Sequence, residues 1–189
     1  MKRLESEELR ARPLRRAASA LLAGALLVLT GCADAPEGVD PVTGFDAERY
    51  LGRWYEIARL DNRFERGLDN VTATYSSRED GGVRVVNQGI NLESGEKSEA
   101  IGKAYFRGPR TVGALKVSFF GPFYGGYNVF ALDPDYQWAM VAGPDRSYLW
   151  ILSRAPSLPE GIREKLVARA AELGFPVKEL YWTRQSVGG

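Results

Sequence analysis

From residue 52 to residue 153, short runs in which aliphatic and aromatic residues alternate with polar ones are separated by turn-forming residues. The pattern predicts strands over 52–59, 71–78, 83–91, 97–107, 113–120, 126–133, 137–142 and 147–153. The breaks between them include Asp80-Gly81-Gly82, Ser94-Gly95, Gly108-Pro109, Gly121-Pro122, Asp133-Pro134-Asp135 and Gly143-Pro144-Asp145, residues that turn the chain rather than extend it. Eight such strands in sequential order predict an all-β fold, an eight-stranded antiparallel up-and-down β-barrel with an interior just wide enough for side chains or one small ligand. The hydrophobic period then changes. Ile162, Leu166, Ala170 and Leu173 recur at helical spacing up to Gly174, and Ser157-Leu158-Pro159-Glu160 has the form of a capping box. One C-terminal α-helix from about 158 to 173 is therefore expected on the outside of the barrel, followed by a ninth strand near 178–183.

The N-terminal part has a different pattern. Lys2, Arg3, Arg10, Arg12, Arg15 and Arg16 precede an apolar run from Ala17 to Leu29, too short for a comfortable membrane span. It ends in Leu29-Thr30-Gly31-Cys32, which looks like the cleavage motif before a diacylated cysteine. Residues 1–31 are read as a lipoprotein signal peptide, 32–44 as a lipidated flexible tether and 45–189 as one domain. Acylation would consume Cys32, the single cysteine, and three acyl chains at roughly 0.8 kcal/mol per methylene anchor a protein stably in a membrane. Ala33 rather than aspartate at the next position favours the outer membrane in a Gram-negative envelope, with the domain facing the periplasm. Removing residues 1–31 leaves 19 basic against 21 acidic residues. Such a near-neutral surface argues against nucleic acid as a partner.

The most informative tetrapeptide is Gly52-Arg53-Trp54-Tyr55. Gly52 allows a tight turn into the first strand, and Trp54 is large enough to plug one end of a barrel. Arg154, after Tyr148-Leu149-Trp150-Ile151-Leu152-Ser153, is placed to lie across the indole face as a cation–π partner. Together with Phe45 to Arg59, Arg63-Phe64-Glu65-Arg66-Gly67 and Leu115 to Tyr127, these segments identify the chain as similar to the bacterial lipocalins and more distantly to the apolipoprotein D branch, from Phe45 to about Trp182. The resemblance implies binding of fatty acids or lysophospholipids in the barrel calyx, with no cofactor. It departs at Leu132-Asp133-Pro134, where the family usually has Thr-Asp-Tyr.

With Arg154 inward at the plugged end, alternation turns Trp150 and Leu152 inward. The same period sets Leu115, Val117 and Phe119 inside, and likewise Tyr127, Val129 and Ala131. On the fourth strand Ala100, Gly102, Ala104 and Phe106 form the inner set, whose small members would leave volume for a ligand. Tyr75 and Asn87 match pocket positions of the apolipoprotein D branch. The candidate ligand-binding residues are thus Tyr75, Asn87, Ala104, Phe106, Val117, Phe119, Tyr127, Val129 and Trp150. Gly52, Trp54 and Arg154 are structural. Strand direction places the loops 60–70 and 121–126 at the open mouth, with Phe64, Phe123 and Tyr124 as apolar contacts and Arg63 and Arg66 as cations. Phe130, Trp138, Met140 and Ile151 point outward, beneath the helix. Glu56 points inward and needs a partner.

The chain has no histidine, so no Ser–His or Cys–His nucleophile and no His-based zinc site can be assembled. Glu65 and Asp69 read as solvated loop carboxylates. A non-enzymatic binder is the first reading. The second is an envelope lipoprotein acting through a protein or self-association interface, as a homodimer for instance, with a vestigial calyx. An uncovered Trp138 and Met140 would favour the second.

Overall fold

The computed structural model describes residues 33–186, and the leader and Cys32 lie outside the described residues. A one-turn helix α1 (Ala47–Tyr50) leads into β1 (Gly52–Leu60), β2 (Leu68–Ser77), β3 (Val83–Asn91), β4 (Lys97–Phe106), β5 (Ala114–Ser118), β6 (Gly125–Leu132), β7 (Trp138–Ala142) and β8 (Leu149–Ser153). Helix α2 (Glu160–Glu172), a 3-10 turn (Val177–Glu179) and β9 (Leu180–Trp182) complete the chain. Each barrel strand pairs antiparallel with the next, and β1 closes the sheet by pairing with both β8 and β2. The result is a closed eight-stranded barrel with one extra strand and one C-terminal helix. Alternation along the pleat produces two apolar cores. One fills the barrel, with Trp54, Tyr75, Val85, Ala104, Leu115, Val129, Val141 and Leu152. The other lies between the outer wall and α2, joining Met140 and Ile151 to Leu166, Ala170 and Phe175.

Irregularities account for the departures from strict alternation. A register shift between Val129 and Ala131 turns Ala131 out, against the core under α2, instead of into the lumen. Ala100 is exposed near the rim of β4. The capping box does not form: Pro159 occupies the N-cap, without a side-chain hydrogen bond, and α2 starts after it. Proline has no side-chain acceptor to offer the first free amides, and Ser157 lies two residues ahead of the N-cap position.

Residues 33–44, expected as a flexible tether, are strapped to the barrel. Val39 is buried, Thr43 bridges to Val112, and the Val42 N–H donates to the Val129 carbonyl over 2.8 Å. β9 is part of the barrel wall at the mouth. It pairs with β1 from Ala58 to Leu60, while the Asn70 N–H of β2 donates to the Arg184 carbonyl over 2.9 Å. β1 pairs with β2 only from Gly52 to Tyr55, so β9 fills the gap where the two strands diverge.

Candidate functional site

The closed end is sealed as its residues predict. Trp54 is fully buried, its Nε1 donates to the Tyr50 carbonyl over 2.8 Å, and the Arg154 guanidinium lies 3.9 Å above the ring. Arg154 also donates to the carbonyls of Arg53 (2.8 Å) and Arg49 (2.7 Å). Gly52 adopts φ +92, and a Cβ there would stand 3.3 Å from Arg154 Nη1, so both conformation and contact require glycine. The unusual Leu132-Asp133-Pro134 turn serves the same seal. Tyr136, at φ +60, accepts from the Asp46 N–H through its hydroxyl (2.8 Å) and stacks under Arg49.

Above the plug, three tyrosines meet. Tyr127 Oη lies 2.8 Å from Tyr50 Oη and 2.7 Å from Tyr75 Oη, and burial raises all three hydroxyls above their ordinary pKa of 10. Beside them a narrow cavity of about 20 Å³ is lined by Tyr75, Ala104, Phe106, Val117 and Tyr127, with Phe45, Leu51 and Leu115 toward the closed end. It has room for about one water. The volume that the small inner face of β4 was expected to leave is partly taken up, because a Cβ on Gly102 would meet the Phe119 ring at 2.8 Å. Around this cavity and above it, Ala73, Val117, Phe119, Tyr127 and Trp150 belong to the inner face yet stay only half-buried. Apolar surface is thus left partly accessible on the inner face of the sheet. Val129 is fully buried in the barrel core. Asn87 is half-buried, and its Oδ1 has no hydrogen-bond partner among the described residues.

The mouth half of the lumen is more polar than the sequence reading allowed. A bulge between Glu56 and Ala58 brings Arg59 onto the face of Glu56, although three residues along a regular strand would point to opposite faces. Arg59 Nη1 and Thr183 Oγ1 both donate to Glu56 Oε1, over 2.7 and 2.5 Å. Burial and the neighbouring Glu65 push the Glu56 carboxyl up to about 8, against the lowering effect of Arg59 and Thr183. Arg59 is itself fully buried and lies over the Tyr181 ring at 4.4 Å.

The β1–β2 loop turns into the mouth rather than standing free. Asn62 is buried, Glu65 is half-buried, and the Glu65 carboxylate accepts from Trp150 Nε1 (2.8 Å) and Asn62 Nδ2 (2.6 Å). Asp69 is buried and accepts from Tyr181 Oη over 2.7 Å and from Arg184. Neither carboxylate is the solvated loop charge expected of it. Arg63, Phe64 and Arg66 are exposed on the rim. Arg63 lies over Phe64 at 4.8 Å, and Arg66 pairs with Asp61 at 3.0 Å. Phe123 is exposed, whereas Tyr124 folds back onto the outer wall between Tyr105 and Lys116 instead of facing the opening.

A family profile described as a lipocalin-like domain matches residues 45–185. The chain belongs to the lipocalin family. It is 54% identical to the outer membrane lipoprotein Blc of Escherichia coli strain K12, over 92% of this chain and 96% of that one. It is also 40% identical to temperature-induced lipocalin-1 of Arabidopsis thaliana, over 78% and 83% of the two chains. The solved structure of insecticyanin from Manduca sexta superposes with a TM-score of 0.63 at 20% identity, covering 82% of this chain and 88% of that one.

Proposed function

We propose that the protein is an outer-membrane lipoprotein, acylated on Cys32 and facing the periplasm, that binds and stores or transports fatty acids or lysophospholipids in its calyx. The membrane assignment is supported by the name of the Escherichia coli relative and by the cleavage motif before Cys32. The observation that carries the binding reading is the half-buried inner face of Val117, Phe119, Tyr127 and Trp150, apolar surface left accessible inside a closed sheet.

The energetics favour a tail-first ligand. Each methylene transferred from water to an apolar lining contributes roughly 0.8 kcal/mol, whereas an exposed charge contact contributes up to about 1 kcal/mol. The head belongs at the rim, where Arg63 and Arg66 are exposed and a phosphate meets cations. The carboxylates of Glu56 and Glu65 line the mouth below. Both are already engaged, Glu56 by Arg59 and Thr183 and Glu65 by Trp150 and Asn62, so the headgroup is met at the rim. The protein acts as a carrier.

The competing reading, a protein interface over the outward residues of β7, is not favoured: Met140 is buried and Trp138 packs into the core under α2. Native mass spectrometry of protein extracted from its own membrane tests the proposal. A bound single-chain lipid is the expected result, and lipid-free protein in every preparation overturns it.

A further inference from the structure

We propose that the open end of the barrel is a membrane-docking surface, with Phe64, Leu92, Phe120 and Phe123 set into the phospholipid leaflet that holds the acyl chains of Cys32. The proposal rests on the acylation of Cys32 proposed above.

Six large hydrophobic side chains are exposed among the described residues, and four of them lie at this one end. Phe64 (58% exposed) is on the β1–β2 loop, Leu92 (48%) on the β3–β4 loop, and Phe120 (71%) and Phe123 (78%) on the β5–β6 loop. The Leu92 N–H donates to the Gly67 carbonyl over 2.9 Å, so two of these loops touch. The loops at the closed end, 78–82, 107–113 and 133–137, carry none of the six. Apolar side chains gathered on one rim mark a surface that meets something apolar.

The strapped N-terminal segment identifies what that is. From Phe45 at the closed end it climbs the outer wall through Thr43 and Val42. It passes the buried Val39, and the Glu37 carbonyl accepts from Arg146 of the β7–β8 mouth loop over 2.5 Å. It ends with the Ala33 carbonyl against Gly126, at the mouth end of β6. Asp34 pairs with the Arg107 guanidinium, which reaches from the closed-end loop up to Asn128, itself bonded to Gly143 of the β7–β8 loop. A free twelve-residue tether would reach about 40 Å and allow any orientation, but one peptide step spans only about 3.8 Å. The described chain therefore ends near the rim, and acyl chains carried by the residue before Ala33 would enter the membrane beside the four apolar side chains. Glu93 and Glu96 follow Leu92 and offset Arg63 and Arg66 beside Phe64, so contact is apolar in character and not driven by charge.

The test uses the full mature protein in vesicles of phosphatidylethanolamine and phosphatidylglycerol. With Cys32 acylated, an environment-sensitive dye reacts only at an introduced thiol, placed by Phe123→Cys at the mouth or Glu79→Cys at the closed end. Lipids brominated on their acyl chains should quench the dye at position 123 and leave the one at 79 unaffected. Equal quenching at both sites, or none at 123 on protein whose intact mass shows the acyl groups, overturns docking alone; the second outcome includes a mouth-to-mouth dimer that shields the dye. An intact mass without acyl groups overturns the anchor and this inference with it. In the Leu92→Ser/Phe120→Ser double variant, uptake of lysophospholipid from vesicles should slow about tenfold with the loss of two apolar contacts. Binding of the same lipid offered from solution should persist. Unchanged uptake from vesicles contradicts the proposal.

Discussion

The Trp150 indole donates to the Glu65 carboxylate over 2.8 Å and so ties β8 to the β1–β2 loop across the mouth of the barrel. The same carboxylate oxygen accepts from Asn62, and Arg59 holds the Glu65 carbonyl over 2.8 Å. The loop is held through side chain and backbone together. Hydrogen bonds to charged groups contribute about 1.5–3 kcal/mol each, so Glu65→Ala should loosen this segment locally. Amide exchange across 61–67 should rise while the central strands stay protected. Unchanged exchange in that loop would show that the latch carries no load.

Glu56 gives stability an unusual pH dependence. Burial, then Glu65, raises its carboxyl from 4.5 to about 8 in the folded protein. Between those values the folded state binds more protons than the unfolded one, so stability falls as pH rises. The contribution is fully present below about pH 4.5 and is lost as pH passes through about 8. Asp69 acts in another window. Burial raises its carboxyl, but hydrogen bonds from Tyr181 and Arg184 outweigh that and hold it below 3.8, so its contribution is lost only in stronger acid. Urea midpoints between pH 5 and 9 should decline for the native protein and flatten in Glu56→Gln, whose amide oxygen still accepts from Arg59 and Thr183. Parallel declines would contradict this account.

The seal at the closed end predicts a costly substitution. Arg154→Ala removes a cation–π contact and two charged hydrogen bonds, together about 2–4 kcal/mol for this partly exposed group. The midpoint of thermal unfolding should drop by about 5–12 °C in a domain of this size. Arg154→Lys should recover less than half, because an ammonium cannot serve the ring and both carbonyls from one planar fork. A change within about 2 °C for Arg154→Ala would place the stability of the seal elsewhere.

The barrel was legible because its signal is periodic. Alternation placed Leu115, Val117, Phe119 and Trp150 inside and Trp138, Met140 and Ile151 outside, and Trp54 and Arg154 announced the plug. What escaped lies where the period breaks. The bulge after Glu56 hides its pairing with Arg59, since spacing by three suggests opposite faces. The register shift after Val129 does the same to Ala131. Glu65 reads as a loop carboxylate because its partner, Trp150, is 85 residues away. Tyr181 and Thr183 enter the lumen only because β9 fills the gap between β1 and β2, which no local pattern indicates. The strapped segment before Phe45 was obscured by Pro36, Gly38, Pro41 and Gly44, whose composition resembles that of a linker.

A lipid held by its tail in an apolar calyx must bind with an affinity that tracks acyl chain length. Titration of the protein with lysophospholipids of one headgroup and increasing acyl length, followed by Trp150 fluorescence or calorimetry, is the measurement. Each added methylene should tighten binding by about fourfold, the equivalent of roughly 0.8 kcal/mol, until the tail outgrows the lumen. An affinity indifferent to chain length, or one that follows the headgroup alone, would contradict the account.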